Sequence, residues 1–520
     1  MRILVFHGYL LGGTGSNVYN ARLAAAFVKL GHEVHLLSQD RHPREQPFVD
    51  AIGDWDTGEL DLHVLREPVN CTVYRPNIGG LLPVYVADRY EGIEARTFAD
   101  CSEEEVARYV DANVAAVREL VSRVSPDVAL ANHLVMGPVI LARALDTAVP
   151  YAVKVHGSAL EYTVKPEPER FLPFAREGVA RARGILVGSR HTADSLWRAL
   201  ADPQIEGRTR LGPPGVDVEL FAPRGRAQAA AGVRALAGSL RAADRDEPES
   251  TDAFARDEHA AADALDRLRP ERDRLVAFVG KLIVSKGVDL LLAAWPLVLE
   301  HEPRARLVIV GFGAYRDGLE RLSRALREGD MDAAKEIARA GRSLETESLD
   351  AQPLRHLLAF LDELQGEELE RYLAAARALA EQVVLTGRLE HDELAELLPA
   401  CEALVVPSTF PEAFGMVAAE AAACGVLPVS AAHSGLAEVS DALAGAVPEQ
   451  AAGLLSFPVD DRAVRALAAR VVGWLEVDPV VREPTRRGLV EVVRERWSWD
   501  GVARGVIAAA RGELDRLQRP

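Results

Sequence analysis

Short apolar runs alternate along this chain with longer stretches whose apolar residues return at helical spacing. The runs at 2–7, 33–37, 128–131, 151–155 and 185–187 have the length and composition of buried strands. A second set, at 275–279, 306–310, 382–385, 403–406 and 426–429, has the same character. Between them the 3.6-residue period predicts helices over 17–30, 103–124, 138–146 and 391–400, one running through Leu299, and one from near Phe414 to Cys424. Gly31 ends the first as a C-terminal glycine does, and Ser189 is placed to cap another. Strand, glycine-rich loop, helix and strand in repetition imply a doubly wound α/β architecture.

Three stretches break the rhythm. Residues 41–100 are irregular and rich in Pro and Gly. Residues 223–272 are rich in Ala, Arg, Asp and Glu with few large apolar groups, which predicts an exposed helical or mobile insertion. Residues 317–380 carry helical spacing over far more than one connector, which predicts two to four inserted helices serving as a lid, an oligomer contact or a partner surface.

Length and composition narrow the classes. At 520 residues two or three domains are expected. A net charge of −18 argues against a nucleic-acid partner. The four cysteines, Cys71, Cys101, Cys401 and Cys424, are far apart and form no Cys-x-x-Cys, which suits a reducing cytoplasm and no zinc site. The apolar start lacks the charged region and cleavage site of a signal peptide, and no run reaches the length of a membrane span.

The stretch 404–439 holds the densest chemistry. A buried strand leads into Pro407-Ser-Thr-Phe-Pro-Glu412-Ala-Phe414-Gly415-Met416, then a small-residue helix containing Glu420, then Ser434-Gly435. Glu412 stands at the mouth of the loop. The unpaired N–H groups of a helix start, expected over Ala413 to Met416, suit an anionic or hydroxyl-rich ligand, and Gly415 clears space for one. Glu-x7-Glu in this setting resembles the donor-site signature of retaining GT-B glycosyltransferases of the family 4 group, the glycogen-synthase and sucrose-synthase-like enzymes.

The resemblance implies a GT-B fold: two Rossmann-like doubly wound domains facing across a cleft, with helical insertions. It divides the chain into an acceptor-side domain at 1–216, a charged linker at 217–272, a nucleotide-sugar domain at 273–496, and a segment at 497–520 crossing back to the first domain. Glu412 would contact hexose hydroxyls and Glu420 the ribose, with Phe414, Gly415 and Met416 as backbone donors. Gly12 and Gly13 would lie against the donor diphosphate. Lys281 and Lys286 match the family's two cations there. Gly311 matches its Gly-x-Gly turn, and Arg388 and Leu389 the place where backbone meets the base. His156, in His-Gly at a strand end, matches a histidine near the transferred sugar and is preferred over His133.

The implied reaction moves a hexose from a UDP-, GDP- or ADP-sugar to a hydroxyl with retention. It uses no metal, and no cofactor beyond this co-substrate. Asp54-Trp55-Asp56, the one acidic metal-like pattern, is read as a surface loop. The first domain's loops offer Asn17, Tyr19 and Tyr162 to the acceptor, a carbohydrate-like molecule or a lipid-linked sugar. Two other readings share the fold: an epimerase or phosphorylase, which would need carboxylates or a pyridoxal lysine not evident here, and a non-catalytic sugar-nucleotide sensor or scaffold.

Overall fold

The computed structural model describes residues 1–13, 15–55, 58–85, 93–242, 256–345 and 352–520. Asp56 and parts of both expected insertions lie outside these. The chain forms two compact units, one from residues 1–215 with 497–520, the other from residues 216–496.

The first unit is built on a nine-stranded sheet. The strands Arg2–Phe6 and Val128–Asn132 lie side by side and parallel at its centre. Glu33–Leu37 flanks the first, and Tyr151–Val155, Gly184–Val187 and Thr209–Leu211 extend beyond the second. Residues 41–100 are less irregular than their composition suggests. They add strands Ala51–Asp54, Asp61–Val64 and Cys71–Arg75 to the far edge, and a separate pair, Leu81–Val84 with Glu94–Thr97. The expectation that Asp54 and Trp55 sit in a surface loop is corrected accordingly. Asp54 ends a strand and Trp55 is buried, its indole N–H donating to Glu119 at 2.8 Å. The terminal helix Trp499–Arg511 packs on the helix Gly15–Lys29 and on the strand Tyr151–Val155. Gly215 lies so close to Trp499 that a Cβ would come within 2.5 Å of the indole.

The second unit carries six parallel strands in the spatial order Val383–Gly387, Ala305–Val310, Arg274–Val279, Ala403–Val406, Leu427–Ala431 and Ser456–Phe457. Numbered along the chain this is 3-2-1-4-5-6, a Rossmann order. Its ligand crevice falls where the order reverses, outside the carboxyl ends of the first and fourth strands. Helix Val288–His301 is apolar nearly all round because helices Gly366–Ala376 and Ala463–Leu475 cover it as well. Each of its buried leucines contributes about 1.5–3 kcal/mol.

The described parts of the inserted segments are packed helices. Helices Arg226–Ala242 and Glu258–Asp266 lie against each other, and the second also against the edge strand Val383–Gly387. Their alanines allow close approach, so Ala229, Ala230, Ala237, Ala261 and Ala262 are buried despite the scarcity of large side chains. Arg256 holds Glu393 through both carboxylate oxygens at 2.9 and 2.7 Å. Among its described residues the second segment contains the helices Arg316–Glu328, Met331–Ala340, Arg355–Glu363 and Gly366–Ala376.

Candidate functional site

In the second unit the two loops that bound the crevice converge on one carboxylate. Strand Arg274–Val279 runs into Gly280-Lys281 and then the tight turn Val284–Lys286. Strand Ala403–Val406 runs into Pro407–Gly415. The Lys286 ammonium donates to Glu412 Oε1, and Ser408 Oγ donates to the same oxygen at 2.6 Å. Gly287 permits this approach. It has φ +65°, and a Cβ there would come within 2.1 Å of the Pro407 carbonyl oxygen.

A histidine fixes the loop from behind. His433 has its Nε2 2.8 Å from the Ser408 carbonyl and its Nδ1 3.0 Å from Ser434 Oγ. A carbonyl only accepts, so Nε2 carries the proton and Nδ1 receives the Ser434 hydroxyl. Ser434 Oγ in turn accepts the N–H of Glu412 at 2.9 Å. Gly435 donates to the Glu412 carbonyl at 2.9 Å, and a Cβ on it would strike Ala413 at 2.7 Å. Glu412 is thus held through its backbone on both sides while its side chain stays partly exposed. Sequence reasoning missed His433 and Ser408. Their signal was present, a histidine directly before the quoted Ser434-Gly435 and a serine at a strand end.

The helix expected from Phe414 begins at Met416, two residues later, so Phe414 and Gly415 belong to the loop and the helix-start donors are Met416 to Ala418. Glu420 lies one turn in rather than two, is buried, and has Oε1 3.4 Å from His391 Nε2. Gly311 has a structural commitment. Its N–H donates to the Gly387 carbonyl at 2.9 Å, and a Cβ would come within 1.9 Å of the Gly280 oxygen. Lys281 and Arg388 stand 6.0 and 5.9 Å from the Phe312 ring, Arg388 also pairs with Glu390 at 2.8 Å, and Leu389 is buried.

The first unit has its own reversal point, between Arg2–Phe6 and Val128–Asn132, and histidines gather there. His7 follows one strand and His133 the other, with rings 6.0 Å apart, and His156 lies 4.9 Å from His133. Burial brings the His7 pKa down to about 4 and moves His133 and His156 well below the ordinary range, so all three rings are neutral near pH 7. His156 Nε2 donates to Asn132 Oδ1 at 2.8 Å; Asn132 is oriented by giving its amide to the Phe6 carbonyl at 3.3 Å. That leaves His156 Nδ1 as an acceptor. Both nitrogens of His133 are buried without a partner.

The structure corrects the reading of Asn17 and Tyr19 as residues presented to an acceptor. Asn17 is buried, accepts from His7 at 3.0 Å and donates to the Gly12 carbonyl at 2.7 Å. It is a staple for the glycine loop. Tyr19 is also buried, edge-on to His156 at 4.9 Å. Tyr162 is half exposed. Gly12 has open space around it and Gly13 has φ +88°. Lys154 is buried beneath Tyr19. It donates to the Gly212 carbonyl at 2.6 Å, and burial lowers its pKa to about 7.

Among the described residues no cluster of three or more His, Cys, Asp or Glu is arranged to hold a metal, and no helix is long and apolar enough to cross a membrane.

Comparison with known proteins places this geometry. The family described as Glycosyl transferases group 1 matches residues 263–331 and 351–471, interrupted only over 332–350, and the Glycosyl transferase 4-like domain matches 14–206. A D-inositol 3-phosphate glycosyltransferase from Segniliparus rotundus is 27% identical over 350 residues, 67% of this chain and 56% of that protein. The matched region is thus little more than half of that relative's length. One of the same name from Frankia alni is 26% identical over 502 residues, covering 91% of this chain and 97% of its own. The structure of HepE from Anabaena in complex with UDP and glucose superposes with a TM-score of 0.54 at 16% identity, covering 99% of this chain and 100% of that one. Two family domains in series, a Rossmann strand order and a shared overall fold agree: the chain belongs to the family 4 group of GT-B glycosyltransferases.

Proposed function

We propose that the chain is a retaining glycosyltransferase that moves a hexose from a nucleoside diphosphate sugar to a hydroxyl of a carbohydrate-like or polyol acceptor. The observation that carries the proposal is the convergence of Lys286 and Ser408 on Glu412 at the reversal point of the second unit's sheet. A carboxylate held through its backbone, with its oxygens partly open, is suited to orient sugar hydroxyls. Lys281, Lys286 and the N–H groups of Met416 to Ala418 are suited to the charge that grows on a departing diphosphate. Glu412 and Glu420 do not act as a glycosidase pair, because Glu420 is buried against His391.

The donor class is supported by the HepE complex, which holds UDP and glucose. The polyol acceptor is supported by the two relatives named for inositol 3-phosphate. The cytoplasm, the compartment proposed for the reaction, suits four separate buried thiols. Gly12, Gly13 and His156 take the roles in donor and sugar contact that the family pattern gives them, Phe414 and Gly415 line the donor loop, and Tyr162 faces the acceptor.

The test is a thermal-shift screen of UDP-, GDP- and ADP-sugars, followed by release of nucleoside diphosphate on adding inositol phosphates and oligosaccharides. Binding without release under any acceptor would favour the sensor reading. Inversion at the anomeric carbon of the product, read by NMR, would refute retention.

A further inference from the structure

The second unit holds a further ionisable pair besides Lys286 and Glu412. Glu420 sits one turn inside helix Met416–Ala423, with 4% of its side chain exposed. Its Oε1 is 3.4 Å from Nε2 of His391, whose side chain is 25% exposed. His391 opens helix His391–Leu397, just past Leu389 and after the strand Val383–Gly387. The pair thus joins the helix that follows the third strand of the Rossmann order to the helix that follows the fourth.

His391 is itself braced. The buried Phe221 ring meets the imidazole edge-on, with centroids 4.9 Å apart. The helix start is closed by reciprocal bonds between Glu390 and Glu393, in which the Glu393 carboxylate accepts the Glu390 N–H at 2.6 Å. Arg256 in turn holds Glu393. The ring therefore approaches Glu420 from a fixed helix end, and the carboxylate is the more deeply buried partner.

Chemistry narrows what Glu420 can meet. A carboxylate accepts hydrogen bonds and repels a diphosphate, whose charge has the same sign. The groups of a nucleotide sugar that donate are the hydroxyls of its two sugars and the N–H groups of its base. Glu412, at the mouth of the loop, is the carboxylate placed for the hexose. Glu420 lies farther into the fold and is paired with a residue just past Arg388-Leu389, so the nucleoside is the part left to it. The neighbouring hydroxyls of ribose offer two donors side by side, which matches the two oxygens of one carboxylate. An imidazole N–H at Oε1 occupies one of roughly four acceptor sites and restricts rotation of the group. A carboxylate already held in one rotamer loses less freedom when the ligand arrives, which raises affinity for the hydroxyls it faces.

We infer that His391 is a positioning residue of the donor site: it orients the Glu420 carboxylate, which reads the ribose hydroxyls of the nucleoside diphosphate. This role rests on the proposed donor reading, with Glu420 as the ribose contact.

The test compares whichever of UDP, GDP and ADP stabilises the protein most with its 2′-deoxy and 3′-deoxy counterparts, each titrated calorimetrically into the full chain. The wild type is expected to bind the ribonucleotide at least about tenfold tighter than the weaker deoxy form. Glu420→Ala should bring that ratio to about one, with Glu420→Gln taking its place if the first variant fails to fold. His391→Phe keeps an aromatic ring against Phe221 and removes the N–H. It should lower the ratio at least about threefold and leave the deoxy affinity within about twofold of wild type. His391→Gln restores an N–H donor near the Nε2 position and should keep most of the ratio. Lost packing alone would do the reverse, sparing His391→Phe and weakening both ligand forms alike in His391→Gln. An unchanged ratio in His391→Phe, equal losses for both ligand forms, or His391→Gln no better than His391→Phe overturns the positioning role while Glu420 keeps the ribose. A ratio indifferent to the Glu420 change, in a protein that still binds nucleotide, overturns the ribose contact and the role of His391 with it. A wild type that binds none of the three nucleotides overturns the donor reading as a whole.

Discussion

Removing the Lys286 ammonium tests the donor site at the joint between its two loops. In the structure this group is bonded to Glu412, with the two side chains 30% and 23% exposed. A diphosphate must therefore take Lys286 from an existing partner or share it. A hydrogen bond to a charged group is worth about 1.5–3 kcal/mol, and a partly exposed ion pair about 0–1 kcal/mol. The difference leaves about 1–2 kcal/mol for the nucleotide, or about a 5- to 30-fold rise in Kd for Lys286→Ala. Stability should fall by less than about 1 kcal/mol, because Glu412 keeps Ser408 and reaches solvent. The assay is calorimetric titration of nucleoside diphosphate and monophosphate against wild type and variant, with urea unfolding as the control. The diphosphate should lose affinity and the monophosphate should not. Equal losses for both, or no loss for either in a folded variant, would refute the assignment of Lys286 to the diphosphate.

Further outcomes follow from other parts of the molecule. Glu412→Gln should keep the fold and lose most transfer, since the carboxylate is held by its backbone and not by packing; wild-type turnover would exclude it from the reaction. Gly311→Ala should lower the stability of the second unit by about 2–4 kcal/mol in urea unfolding, because a Cβ there overlaps the Gly280 oxygen; an unchanged midpoint would contradict the close approach. His7 has a folded pKa of about 4 against 6.5 unfolded, so the fold favours the neutral ring; its contribution is full above pH 6.5 and falls by about 3 kcal/mol as pH drops to 4. His7→Gln should flatten the stability profile over that window by a similar amount, and identical slopes would disprove the burial argument. With Lys281 and Lys286 as the cations of the donor site, EDTA should leave transfer intact; loss restored by a divalent ion would assign that charge to a metal.

The sheet of the second unit and the donor loop were legible because each is specified locally. A four-residue apolar strand, a loop of breakers and a small-residue helix occupy consecutive positions, and the strand Ala403–Val406 falls where the hydrophobic run places it. The edge of the first unit was not legible. Strands such as Asp61–Val64 are exposed along their whole length, so they carry no buried alternation to read. The segment 223–272 misled for the opposite reason. Among the described residues about half of its buried side chains are alanines, set among Val233, Leu236, Leu240 and Leu265, and alanine burial depends on how closely two helices approach and leaves little trace in a hydrophobicity pattern.

The side chains misassigned at the first unit's loops share one physical cause. Asn17 and Tyr19 are polar residues beside a glycine-rich turn, and composition alone assigns such residues to the surface; Lys154, inside the strand Tyr151–Val155, is buried in the same way. Whether a polar side chain faces solvent or a backbone carbonyl depends on partners distant in sequence. For Lys154 the partner is Gly212, 58 residues on; for Asn17 it is His7, just after the strand that precedes the loop. Lys154 and Asn17 each satisfy a backbone carbonyl, of Gly212 and Gly12, where leaving a buried carbonyl unpaired costs about 1–3 kcal/mol. The glycines at 12 and 13 supply freedom to the loop, and Asn17 removes it again at one carbonyl. A loop that is permissive in backbone and restrained at a single point holds one shape without side chains of its own in the way, as a backbone surface meeting a diphosphate requires. Substitution of Asn17 should consequently register first in donor affinity rather than in acceptor KM.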